Sequence, residues 1–457
     1  MNAQPAGFSH LGPAASTLNP QPSTIARRPI QNRKSKFKNP STLSQQGSVL
    51  VVTLVIAALF GIFLFSYLYL VRNQKTLISR SQAWNASIGM AEAGIEEALA
   101  QLNPAAPQEP VVDRTANGWG APAGGLYGPV TRNLAGGSYS VLYTTNFFPV
   151  LYATGYVTIP SIPATLSRAV RVTTRIVPLF TVAMAAIGNI DMNGNNLITD
   201  SFNSSLTNLS NNGLYDPSKT STNGNVASIG GVIDVGNADI NGALFLGPTA
   251  TNTVKNNGVV TGGVTNDFNA TFPDVQLPEG YQSWLTPSLV SQLIGSVTYN
   301  YVFLVGGDYV VNNLSGAIYV GTNAVVRLRL TGNATPTTIT VAGPGAGSRL
   351  TIYMDGPAFN LSGQNTVAGG VAMNFSYFGT TNNTSVKLSG NASFTGTIYA
   401  PEADLTLGGG GSDNYDFVGS TVTKTVSMNG HFSFHFDEAL LNRGPARGYS
   451  ATSWTEL

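Results

Sequence analysis

The feature that most limits what this chain can become is "VLVVTLVIAALFGIFLFSYLYLV", from Val49 to Val71. It is 23 residues long and carries no charge. As a helix rising about 1.5 Å per residue it spans roughly 35 Å, enough to cross a bilayer with some tilt. A secretory apolar region is shorter, about 7–15 residues, and leads to a small-residue cleavage site. Here Arg72, Asn73, Gln74 and Lys75 follow instead. The run therefore reads as a membrane-spanning helix rather than a conventional cleaved signal. Residues 1–46 hold no Asp or Glu and carry Arg27, Arg28, Arg33, Lys34, Lys36 and Lys38. Beyond the run only Arg72, Lys75 and Arg80 precede the first acid, Glu92. The more basic flank is expected to stay cytoplasmic, which places the bulk of the chain on the far side of an inner membrane.

The helical pattern continues past the run. In "LISRSQAWNASIGMAEAGIEEALAQLN", Leu77, Ser81, Trp84, Ile88, Ala91, Ile95, Ala98 and Leu102 recur at alternating steps of four and three. This is a heptad seam with one polar exception, and Glu92, Glu96 and Glu97 fall off it. Pro104 lacks an N–H and closes the pattern. One helix from Ser48 to Leu102 would be about 80 Å long. Trp84, Ile88, Ile95 and Leu102 are its candidate packing residues. A plain single-span anchor with a short juxtamembrane helix is the alternative.

"GSVLVVTLVIAALFGIFLFSYLYL" followed by "AEAGIEEALAQL" resembles the N-terminal region of the type IV pilin-like proteins, in particular the PilX-type minor pilins. The resemblance implies that prepilin peptidase cuts the basic leader between Gly47 and Ser48. It also implies that the freed helix packs with other pilin-like subunits in a pilus or a related secretion fibre. Major pilins carry Glu at the fifth mature position. Here that position is Val52, which suits a minor, initiating subunit better than a repeating one, because an intramembrane carboxylate is costly and usually functional.

Residues 104–180 pass from Pro and Gly into strand patterning. In "SRAVRVTTRIVPLF", Arg168, Val170, Val172 and Thr174 alternate with Ala169, Arg171, Thr173 and Arg175. Three or four strands are expected, as a small antiparallel sheet that needs the helix to pack on. A helix followed by such a sheet is the layout the resemblance implies.

From about residue 181 the texture changes to short apolar runs between Asn and Gly. "GNADINGALFL" (Gly236–Leu246) matches "GNASFTGTIYA" (Gly390–Ala400), and "GAIYV" (Gly316–Val320) and "LTIYM" (Leu350–Met354) repeat the second half. Charged residues are only 10% of the chain, against about 25% in ordinary soluble domains. Low charge suits stacked strands, where like charges would sit about 4.8 Å apart. Asn and Gly suit corners that need φ > 0. A β-solenoid (right-handed β-helix) is expected, with a long-looped β-sandwich as the alternative. "LPEGYQSWLTPSLVSQLIG" predicts a helix with Thr286 as N-cap and Pro287 at its first position, lying across an open side of the solenoid or separating two sections. Phe432, Phe434 and Phe436 share one strand face, and "DEALLN" after them is expected to cap the last coil. The segment "GTIYAPEADLTLGGGG…VSMNGHFSFHFDEAL" also resembles the uncharacterised domain found after PilX-like N-termini in envelope proteins.

The chain offers little chemistry. Cys is 0, so disulfides and thiolate metal sites are excluded. His431 and His435 are about 13 Å apart on a strand, too far to share a metal, and are expected on a solvated face. Asp191, Asp234 and Asp239 could line a solenoid face as glycoside-cleaving acids do, but Asp in Asn-rich turns is ordinary. The sequons at Asn203 and Asn391 are expected by chance. No phosphate-binding loop or catalytic motif is present, and "GPGAG" and "GGGGS" read as turns. The net charge of +1 gives no case for nucleic acid. No catalytic, cofactor-binding or metal residue is expected.

The sequence therefore reads as α+β: a leader over 1–47, a transmembrane and amphipathic helix over 48–103, a small β subdomain over 104–180 and a β-solenoid-like head over 181–457. The expected role is structural and non-enzymatic. The protein would sit in the bacterial inner membrane before assembly and on a pilus or the cell surface afterwards. Its head would contact other subunits or adhere to a surface polysaccharide or a host or neighbour-cell ligand. The alternatives are a surface adhesin on an uncleaved anchor and a polysaccharide-acting β-helix enzyme.

Overall fold

A single helix, α1 (Gln46–Leu102), takes up the apolar run and the seam beyond it without a break. It belongs to a computed structural model that describes residues 46–103, 114, 117–160, 162–194, 197–255, 257–278, 280–343, 347–363, 367–368, 370–390, 393–408, 415–429 and 431–457. Residues 1–45 of the leader, the sequon at Asn391, and most of the "GPGAG" and "GGGGS" segments lie outside those residues.

Four strands, β1 (Leu126–Leu134), β2 (Gly137–Thr144), β3 (Val150–Thr158) and β4 (Thr165–Pro178), form an antiparallel meander. Alternation sets its two faces. Val141, Tyr143, Leu151, Ala153, Val170 and Val172 are buried against α1, and the residues between them are partly exposed. The fifth strand of this sheet comes from the far end of the chain. Ala446–Glu456, read above as part of the head, runs antiparallel to β4. The end of α1 is fastened to that strand. Asn103 Nδ2 donates to the Tyr449 carbonyl at 2.8 Å, and the Tyr449 N–H donates to Asn103 Oδ1 at 2.5 Å.

The head is thus an insertion between two neighbouring strands of one sheet. It enters after Pro178 and leaves at Pro445, where the Leu179 N–H donates to the Pro445 carbonyl at 2.9 Å. It is a β-solenoid of about nine turns, with three ladders of parallel strands. One ladder passes through Leu328, Ile352, Tyr377, Ile398, Thr421, Met184, Val226 and Leu244. Its order exposes the construction. Residues 301–437 wind as one stack and residues 184–265 as another. The last coil of the first stack then pairs with the first coil of the second, through Thr421↔Met184, Val426↔Ile190 and Phe434↔Thr199. The chain enters and leaves the solenoid at this internal joint and not at an end.

Corners explain the Asn and Gly content. Asn189, Asn225, Asn300 and Asn313 each accept, through Oδ1, the backbone N–H of Val232, Ala243, Ala317 and Asn333 in the next coil, at 2.8–3.0 Å. The residue just before each of those donors is a Gly: 231, 242, 316 and 332. A Cβ on Gly242 would lie 2.6 Å from the Gly224 carbonyl carbon, and Gly316 also has φ +93°. The neighbouring coil occupies the space a side chain needs. Inside, Phe394, Phe417 and Phe434 stack on successive coils with centroids 4.5 and 4.2 Å apart.

The ladder above is apolar on its outer side too. Val310, Tyr353, Phe378, Tyr399, Val422, Ala185, Ala227 and Phe245 point outward. They are covered by residues 266–278 and 280–285, a strap that carries the chain from one end of the solenoid to the other. The strap is pinned along its length. The Phe268 N–H donates to the Leu246 carbonyl, Tyr399 Oη to the Pro273 carbonyl, and the Leu285 N–H to the Asp308 carbonyl. The helix expected at Thr286 does not form. A short turn at Tyr281–Ser283 and a hairpin, Gln292–Ile294 with Val297–Tyr299, stand there instead. Pinning Leu285 to the edge of the Tyr309 strand commits the residues before Thr286 to an extended path. The short helix Leu440–Arg443 does form, but the last coil has no open end for it to cap, because Phe432–Asp437 already pairs with Ile198–Phe202.

Candidate functional site

Two places combine side chains of functional character. The first is α1. From Val49 to Val71 its large side chains are bare, with Phe65 71% exposed, and the span is long and apolar enough to cross a membrane. Gly47 and Ser48 fall in its first turn. From Ala83 onward the helix closes on the chain's own sheet. Ala83, Ser87, Ala91, Ile95, Ala98 and Leu102 are buried, and Ile88 is half-buried. Gly155 lets the helix approach, since a Cβ there would lie 2.1 Å from the Ser87 carbonyl oxygen. Of the four candidate packing residues, Ile95 and Leu102 are therefore spent on the sheet. Trp84 stays 47% exposed under the Arg168 guanidinium, 4.9 Å from its ring centroid, and Arg168 in turn pairs with Glu456. Off the seam, Glu97 accepts from Arg132 Nη2 at 2.9 Å and Tyr139 Oη at 2.6 Å. Burial raises the Glu97 carboxyl, but these donors outweigh it and hold the pKa below the ordinary value. Burial and the Glu97 charge push Tyr139 up to about 12.

The second place is the internal joint. His435 does not face solvent as expected. Its side chain is 4% exposed, because residues 203–224 fold over it. Its Nδ1 lies 2.5 Å from Asp200 Oδ1 and its Nε2 3.3 Å from Asp416 Oδ1. The Tyr215 ring stacks on it at 3.6 Å, and Tyr215 Oη donates to Asp200 Oδ2 at 2.9 Å. Burial lowers the imidazole pKa, but the two carboxylates outweigh burial and raise it. The acids next in sequence fasten the same covering loop. Asp437 Oδ1 accepts the Ser204 N–H, and Glu438 Oε1 accepts from Ser201 Oγ and Asn223 Nδ2. Sequence reasoning missed this cluster, because a loop of about twenty residues between two turns carries no periodic signal that it folds back over a distant strand.

The scattered acids separate. Asp191 and Asp234 are register partners on adjacent coils. The Asn193 amide bridges them, donating to each at 2.7 Å, with Lys255 on its oxygen. Asp239 is on another ladder, opposite Ile198 and Val259. Among the described residues no group of three His, Asp or Glu could hold a metal.

Residues 299–443 match a family described as Domain of unknown function (DUF7305). The matched segment corresponds to the 301–437 stack with the short helix after it. No curated protein matches the sequence. Among solved structures, the competence-associated pilin ComZ from Thermus thermophilus is similar at 13% identity, over 81% of this chain and 96% of that one, with a TM-score of 0.25. At that level nothing about this chain follows from it.

Proposed function

We propose that this chain is a pilin-like structural subunit that displays a β-solenoid head. In this reading prepilin peptidase removes the leader between Gly47 and Ser48 at the inner membrane. The Val49–Val71 half of α1 then packs with the helices of other subunits in a type IV pilus or a related fibre, as a PilX-type minor pilin at or near its tip. The head offers a contact surface for other subunits or for adhesion. The observation that carries the reading is the division of α1. One half is satisfied by the chain's own sheet, and the other exposes a continuous apolar surface that only lipid or further apolar helices can cover. A non-catalytic role is supported by the His435 cluster, whose ring nitrogens are committed to Asp200 and Asp416 beneath Tyr215.

The test is mass spectrometry of the mature N-terminus in cells with and without prepilin peptidase. Ser48 as the first residue, only when the peptidase is present, is the expected result. An intact leader in both, with the protein held in the membrane, replaces this reading with the uncleaved anchor.

A further inference from the structure

We infer that the two ends of the solenoid join between copies of this chain, an apolar arm at one end of one copy capping the open last coil of the next. That open coil consists of Thr251–Val254, Val259–Val260 and Val264–Thr265. Each strand pairs on one side only, with Val232–Gly236, Asp239–Ile240 and Leu244–Phe245, and no strand among the described residues lies on the other side. Val264 continues the inward row of Val226 and Leu244. Those two are fully buried, but Val264 is 48% exposed. The core therefore ends bare, where a solenoid needs a cap with a polar outer face.

The opposite end has the reverse character. Its first coil is closed by its own aromatic side chains: Tyr301 and Phe303 are buried, and the Tyr309 ring packs on Phe303 with centroids 4.8 Å apart. Beside that coil runs an arm, held at Leu285 by backbone bonds to Asp308 and Val310 and at Tyr299, whose hydroxyl lies 2.9 Å from Thr340 Oγ1. Leu285, Leu289, Val290 and Leu293 of the arm, with Leu304 and Val305 of the coil, are each 60–75% exposed, and no other large apolar side chain described between Leu179 and Pro445 passes 50%. Residues 280–307 carry no charge. One end thus lacks an apolar cover and the other holds apolar surface with nothing to cover. All the ladders are parallel, so a copy stacked end on continues them in the same strand direction. The sheet that carries α1 joins the solenoid at the internal joint, away from both ends. The two surfaces differ, so the contact is heterologous and repeats without closing. A lipid surface fits less well. The Tyr301–Phe303 edge is paired on one side only, and hydrocarbon cannot satisfy its remaining N–H and C=O groups. The neighbouring cations, Arg327 and Arg329, are spent on Asp308 and Asp355.

The chain has no Cys, so two introduced thiols report only each other. Full-length copies with different tags are made in one cell, one carrying Val264→Cys and the other Leu293→Cys, and treated with a short bismaleimide. Thiols held at a contact meet at high effective concentration, so this mixed pair should cross-link about tenfold more than either variant with itself. Leu293→Cys with Leu206→Cys, an exposed site in the loop over the joint, should stay at the same low level. Leu289→Asp with Val305→Asp alters only side chains already in water, and should abolish the mixed cross-link without changing the protease pattern of the head. Same-end pairs that cross-link as well as the mixed pair, or a mixed pair that survives Leu289→Asp with Val305→Asp, overturn the inference. An environment-sensitive dye at Leu293→Cys that blue-shifts in phosphatidylcholine vesicles holding one copy each assigns the arm to lipid and overturns it too. The leader's fate is a separate readout. A chain that keeps its leader and still cross-links end to end sustains the capping and removes the pilin-like reading. One matured at Ser48 and assembled without the cross-link does the reverse.

Discussion

Replacing His435 by Ala should open the joint between the two solenoid stacks while leaving each stack wound. His435 stands on the last coil and Asp200 on the first, and both are nearly out of contact with water. Removing one partner of a buried pair typically costs about 3–5 kcal/mol, because the other charge is left without compensation. Opening of the joint should therefore become roughly a hundredfold more frequent or more. Backbone hydrogen exchange resolves this. The amides of Thr199–Phe202 and Phe434–Asp437, which pair across the joint, should lose protection, whereas those of Arg349–Met354, inside one stack, should not. A pH dependence follows from the same geometry. The charged groups facing the imidazole are Asp200 and Asp416, and Tyr215 is the remaining titratable neighbour. They raise the folded-state pKa of His435 above its ordinary 6.5. The stabilisation is then complete below about pH 6.5 and is lost as pH rises through the raised value, with a slope of at most about 1.4 kcal/mol per pH unit. After correction for intrinsic exchange, protection at the joint should fall as pH rises above about 6.5 in the natural chain and not in the variant. Equal loss of protection across both stacks, or a joint that tightens with rising pH, would refute the reasoning.

Three further outcomes are expected. Phe417→Ala removes the middle ring of the Phe394–Phe417–Phe434 stack and should cost about 3–5 kcal/mol, read as a lowered denaturation midpoint by Trp284 fluorescence. Gly155→Ala drives a methyl group into the Ser87 carbonyl and the Ala91 N–H. It should lift α1 from the sheet, seen as new protease cleavage between Ala83 and Leu102 with the solenoid intact. Asn103→Ala removes both bonds to Tyr449 and should cost about 1–3 kcal/mol, appearing as faster exchange over Ala446–Glu456 alone.

The helix was legible because membrane length and helical spacing are local signals, but its buried face is not the seam as read, since Leu77, Ser81 and Trp84 stay exposed while Ala83 and Ser87 are buried. The solenoid was legible from its Asn–Gly corners and low charge. What the sequence concealed was non-local. "GTIYA", "LTIYM" and "GALFL" are continuous apolar runs rather than alternating ones, which is the mark of strands covered on both sides. All three lie on the ladder beneath the strap, so the signal was present, but nothing in the runs names residues 266–285 as the cover. "GAIYV" bends at Gly316 between two ladders, and its Ile318 pairs with Tyr301 and Ile339 on a different ladder from the other three. The order of the coils was hidden for a related reason. The 184–265 stack follows the 301–437 stack in space but precedes it in sequence, and a period read along the chain cannot show that. The solvated His face failed because the burial of His435 is decided by a loop folded in from another coil.

The joint also accounts for how a solenoid of this size sits inside a five-stranded sheet. A solenoid wound in sequence order begins at one end and finishes at the other, about nine turns away, or roughly 40 Å at the spacing of paired strands. Inserted between β4 and the strand beside it, it would pull those strands far beyond hydrogen-bonding distance. Winding residues 184–265 outward, returning along the strap, and winding residues 301–437 back to meet them brings both chain ends to adjacent coils at the joint. Leu179 and Pro445 then bond directly, and β4 and Ala446–Glu456 leave side by side in pairing register. The strap and the His435 joint are thus two parts of one solution. The strap returns the chain to the far end, and the joint holds the two stacks together so that the sheet on which α1 packs can close.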